Sequence, residues 1–95
     1  MYHYDRLPEG LRGSMQRYIE DGIQPGHFLT AVLENDLFAA VSRADGTNSK
    51  LLPEIVRWIY NEAPMSCWGS EAKVIAWANA VRSNLGTLPD GVLNS

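Results

Sequence analysis

The sequence predicts an all-α protein, a compact array of about four to five short helices in a single domain. Three observations predict it. Apolar residues recur at three- and four-residue spacing along most of the chain. Glycine, proline and asparagine punctuate those stretches at short intervals, as at Gly22, Gln24-Pro25-Gly26, Asp45-Gly46 and Pro64. No alternating apolar–polar run of useful strand length, internal repeat or heptad run competes with that pattern.

The elements follow in order. Residues 1–7 read as a weakly ordered, aromatic-flecked lead-in. Pro8 suits the first helical position, where a missing N–H costs nothing. Leu11, Met15, Tyr18 and Ile19 then share one face. Gly13 weakens that helix by about 1 kcal/mol relative to alanine. Gly22 is the left-handed cap, with Ile23 as the apolar contact that follows such a cap.

The next apolar series is Phe28, Leu29, Val32, Leu33, Leu37, Ala40 and Val41. Its four-residue spacing drifts around a 3.6-residue helix, and Asn35-Asp36 offers side-chain oxygens that can cap a fresh turn. Two helices, about 26–34 and 36–43, or one bent helix, are therefore expected. Ala44–Asn48 reads as a turn. Asn48 or Ser49 would cap the following helix, placing Pro53 in its first turn. Leu52, Ile55, Val56, Ile59 and Tyr60 would face inward, with Trp58 pointing elsewhere, and Pro64 would end the helix. After a loop at Met65–Gly69, Ser70 caps the last helix, and Glu71 suits its dipole. Val74, Ile75, Ala78 and Val81 face inward there, flanked by Trp77. Residues 86–95 read as a second weakly ordered tail.

The totals bound function mainly by exclusion. A chain of 95 residues fits one domain spanning 1–95. Scaling laws let such a chain bury about 64% of its unfolded surface, enough for one modest core. The net charge of −3 is spread over scattered acids and bases, which argues against direct nucleic-acid binding and against an acidic nucleic-acid mimic. Cys67 is the single cysteine, so a reducing compartment is expected. The start MYHYDRLPEG lacks the basic and apolar regions of a signal peptide. Apolar runs fall short of the ~20 residues that span a bilayer.

No catalytic, cofactor or metal site emerges from the pattern, and the chain reads as a non-enzyme. His3, His27 and Cys67 make no zinc set. Cys67 as a nucleophile would need a neighbouring base that no motif supplies, and free cysteine is commonly a packing residue. The helix start at Cys67–Ser70 offers an anion pocket for a small ligand or nucleotide. One glycine is not a phosphate loop, however, and capping is the simpler reading. Glu34, Asn35 and Asp36 form an acidic knot better read as a solvated junction than as a calcium loop. Arg6, Arg12 and Arg17 with Glu9, Glu20 and Asp21 suggest local ion pairs on the first helix. The aromatic excess is the more telling feature. Trp58 and Trp77 sit off the centres of their stripes, so Trp58, Trp68 and Trp77 are candidate protein-binding residues. Core filling is the plain alternative.

The run RYIEDGIQPGHFLTAVLENDLFAAVSRAD, followed by LPEIVRWIYNEAP and CWGSEAKVIAW, resembles a family of short proteins common in bacteriophages and prophages. The resemblance covers about residues 7–78. It implies a genomic setting rather than an activity: a bacterial cytoplasm and an accessory role. Small phage proteins of this kind often bind and block host transcription, replication or defence proteins, as anti-CRISPR proteins do. The expectation is thus a non-catalytic accessory protein that docks on a host protein. A homodimer would cover exposed rings equally well.

Overall fold

A computed structural model describes residues 2–86 as five α-helices and two short 3-10 turns, with no strand among the described residues. The helices are α1 (Glu9–Asp21), α2 (His27–Leu33), α3 (Leu37–Arg43), α4 (Gly46–Glu62) and α5 (Glu71–Gly86), with 3-10 turns at Tyr4–Arg6 and Met65–Cys67. The all-α class stands. Of the tail expected over 86–95, all but Gly86 lies outside the described residues.

The lead-in corrects the expectation of a loose segment. Leu7 is buried in the core. The Trp58 indole N–H donates to the His3 carbonyl at 2.9 Å, and the Tyr4 ring stacks on Trp58 at 5.7 Å. Arg12 does not join a local ion pair. Its guanidinium donates to the Leu7 and Asp5 carbonyls at 2.9 and 3.0 Å, pinning the end of the first turn. Arg6 reaches across the fold to Glu62 at 3.3 Å, a mostly exposed pair of small energetic weight.

α1 buries Met15, Tyr18 and Ile19, as the spacing predicts. It ends at Gly22, whose φ of 72° is left-handed and whose N–H donates to the Tyr18 carbonyl. The apolar contact expected from Ile23 is absent, for Ile23 is exposed. Gly22 itself makes the contact: a Cβ there would lie 2.5 Å from the Ala78 carbonyl oxygen of α5. The lack of a side chain is what lets α1 and α5 approach.

α2 and α3 separate at the anticipated break. Asn35 takes φ 63°, a conformation its short polar side chain tolerates. Asp36 caps α3, its carboxylate accepting from the Ala39 N–H at 3.1 Å. Within α3 the buried residue is Ala40. Leu37 and Val41 of the same apolar series are exposed. The left-handed residue resets the direction and phase of the chain, so α3 does not continue the apolar stripe of α2.

α4 begins earlier than predicted. Asp45 is its cap, accepting from the Asn48 N–H at 2.7 Å. Pro53 therefore sits inside the 17-residue helix rather than in its first turn. It is exposed, where the carbonyl it leaves without a helical donor can meet water. The inward face also differs from the expected one. Ile55, Trp58 and Ile59 are buried, while Val56 and Tyr60 point out. The Met65–Gly69 segment contains a 3-10 turn rather than plain loop. Ser70 caps α5, accepting from the Lys73 N–H at 3.2 Å, and Val74 and Ala78 enter the core. Ile75 does not; it is exposed.

Candidate interaction face

The functional question turns on which side chains remain outside this core. α3 is only seven residues long yet carries Leu37, Phe38 and Val41 outward, and Phe38 is 88% exposed. The first and last of these are one helical turn apart, with Phe38 between them. On α4, Val56 and Tyr60 are likewise one turn apart and exposed, Tyr60 at 72%. Single exposed apolar residues are ordinary, but a cluster on two neighbouring helices is the kind of patch that marks an interaction site.

Two clefts join the helices into one surface. One, of about 60 Å³, includes Val32, Leu37, Ala40, Leu52 and Val56 in its walls. The other, of about 110 Å³, lies between Val32, Val56, Ile59, Tyr60 and Trp68. Val32, Asn35 and Val56 line both, so the clefts lie side by side. The groove ends against Trp68, whose ring meets Tyr60 at 6.1 Å in a tilted contact. Ligand pockets run to about 300 Å³ and more, so this groove suits a side chain better than a small molecule.

The three tryptophans named from the sequence occupy different places. Trp58 is 4% exposed and serves the core and the N-terminal turn. Trp77 is half-buried on α5, its indole N–H enclosed without a hydrogen-bond partner. Trp68 is half-buried at the end of the groove. The fold brings Trp68, and not the other two, to the apolar face. Phe38 and Tyr60, which the spacing does not single out as surface rings, are exposed. A signal for Phe38 was present: Leu37-Phe38-Ala39-Ala40-Val41 is more apolar surface than one face of so short a helix can bury.

The polar candidates resolve differently. Cys67 is fully buried, and burial pushes its thiol up to about 12, so almost no thiolate exists at neutral pH. Its carbonyl accepts a 2.6 Å bond from the buried Tyr18 hydroxyl. Cys67 is a packing residue at a crossing point of α1 and the 3-10 turn before α5. We expect a disulfide reagent at pH 8 to label Cys67 only as fast as the chain opens. Labelling should be at least about a thousandfold slower than for a denatured control, given the unfolded fractions of marginally stable domains. Near-equal rates would contradict the enclosed thiol.

The helix start beside it offers little to an anion. The Gly69 N–H is committed to the Leu33 carbonyl at 2.7 Å and the Lys73 N–H to Ser70, and Glu71 adds a negative charge. Among the described residues, no group of three or more histidine, cysteine, aspartate or glutamate side chains is placed to hold a metal ion. No helix there is long and apolar enough to cross a membrane. A further, open hollow is lined by Arg6, Glu54, Arg57, Trp58, Asn61 and Glu62, with the Arg6–Glu62 pair in its wall.

Together the fold and the face define a small all-α protein with, among the described residues, a buried core and an open apolar groove. No family model, curated protein or solved structure matches the chain.

Proposed function

We propose that this chain is a non-catalytic binding module, an accessory protein of a phage or prophage that docks on a host protein and modulates or blocks it. The observation that carries the reading is the apolar face of α3 and α4, with Phe38 and Tyr60 as its exposed rings. Aromatic side chains are enriched at protein interfaces. The phage setting rests on the sequence resemblance, and with it the bacterial cytoplasm as the place of action. Host takeover and counter-defence both fit such a binder.

Affinity purification of the tagged chain from host cells, read by mass spectrometry, tests this. The wild type should retain a stoichiometric protein at physiological salt. The Phe38→Ser/Tyr60→Ser variant should bind at least about thirtyfold more weakly, as loss of hot-spot residues does. Its thermal unfolding should change little, because both rings are exposed. No stoichiometric capture, or capture indifferent to the variant, would refute the reading. Sedimentation at several concentrations separates a host partner from a homodimer using the same face.

A further inference from the structure

The groove also constrains what kind of partner element fills it. We infer that it receives an amphipathic helix of the partner protein, which seats one bulky apolar side chain between Val32, Val56 and Trp68 and directs lysine or arginine toward Glu34, Asp36 and Glu71. This rests on the preceding reading that the face binds a protein.

The cleft at Val32, Val56 and Trp68 has the size of a single side chain, about 110 Å³, and adjoins the smaller one beside Leu37. An apolar trough of two adjoining recesses suits side chains one turn apart on a docked helix. One carboxylate lines the trough, and two more stand near it. Glu34 and Asp36 flank Asn35, which lines both clefts, and Asp36 itself lines one. Glu71 stands three residues beyond Trp68 in the first turn of α5. Glu34 is held above its usual carboxylate range by partial burial, then by the charges of Glu71 and Asp36 near it.

These carboxylates form no ion pair among the described residues, where the recorded pair is Arg6–Glu62. Asp36 accepts only a neutral backbone N–H. An apolar trough with acids beside it is complementary to an apolar helix face flanked by cations. A second copy of the chain fits less well. It brings a further net charge of −3, and its exposed α3 offers the single base Arg43.

Two synthetic helical peptides with the same leucine- and tryptophan-bearing face, one flanked by lysine and arginine and one by glutamate, provide the test with the full chain. At about 0.15 M salt, where the Debye length is near 8 Å, the cationic peptide should bind saturably and at least about tenfold more tightly than the anionic one. Val56→Asp should abolish that binding. Glu34→Gln/Asp36→Asn/Glu71→Gln should weaken it about tenfold, while Glu9→Gln, outside the groove, should not. Thermal unfolding confirms that each variant is folded. Equal binding of both peptides, no binding of either, or binding that survives Val56→Asp overturns the inference. So does self-association in sedimentation that Val56→Asp removes. If host capture persists while the peptides show no charge preference, this inference fails and the binding-module reading survives. If capture fails outright, the reading itself falls.

Discussion

Gly22→Ala is expected to destabilise the chain by about 3 kcal/mol, whereas Gly13→Ala in the same helix should stabilise it by about 1 kcal/mol. The two glycines differ in what surrounds them. Gly22 has φ 72°, and a left-handed conformation costs an L-residue about 1–2 kcal/mol. A Cβ there would also stand 2.5 Å from the Ala78 carbonyl oxygen and 3.0 Å from the Arg82 nitrogen, both backbone atoms of α5. Neither can step aside as a side chain would, so α1 and α5 must separate and disturb Tyr18, Val74 and Ala78 nearby, adding about 1–3 kcal/mol. At Gly13 the nearest atom is the far end of the exposed Arg17 side chain, at 3.1 Å, which swings away easily. Alanine there removes unfolded-state freedom without strain. Thermal unfolding should show Gly22→Ala lower by roughly 15 °C and Gly13→Ala higher by about 5 °C. Shifts of equal sign would contradict the close approach of α1 and α5.

Alkaline pH should unfold the protein, through Cys67 and Tyr18 together. Burial raises the Cys67 thiol from an ordinary value near 9 to about 12. Burial also raises the Tyr18 phenol, with smaller contributions from Cys67 and Glu34. For a group raised on folding, the associated stability is fully present below the unfolded pKa. Above that value the unfolded chain releases its proton and the folded chain keeps it, so stability falls until the folded pKa is reached. For Cys67 that window runs from about pH 9 to about 12. Each group contributes a slope of up to about 1.4 kcal/mol per pH unit. The two losses act in the same direction, so stability falls as the pH rises past the unfolded pKa of each group. Urea midpoints measured from pH 7 to 11 should be flat at first and fall steeply above pH 9. Cys67→Ala should flatten the early part of that fall by about one group's slope. A pH-independent midpoint through this range would show that neither group is enclosed as described.

The helices and their ends were largely legible in the sequence, because they depend on local chemistry. Gly22 as a left-handed cap, the break at Asn35-Asp36 and Ser70 as the cap of α5 all follow from residues whose backbone and side-chain preferences act within one turn. The start of α4 was misread because Asp45, Asn48 and Ser49 all have capping chemistry, and local preference does not rank them. Asp45 prevails and carries Pro53 into the helix interior.

The exposed apolar face was not legible, because α4 carries two overlapping apolar stripes and local pattern cannot choose between them. The spacing favours a core face through Ile55, Val56, Ile59 and Tyr60. The structure keeps Ile55 and Ile59 but buries Trp58 in place of Val56 and Tyr60. Trp58 turns inward because Tyr4 stacks on it and the His3 carbonyl satisfies its N–H, partners that lie more than fifty residues away in the chain. That rotation leaves Val56 and Tyr60 outside. In the same way, Asn35 reorients α3 and leaves Phe38 exposed. By itself the sequence determined an all-α chain, where most of its helices begin and end, and the lack of a recognisable catalytic set. Only the tertiary structure decided which apolar stripe is core and which is surface, because burial is set by distant contacts that no local spacing encodes.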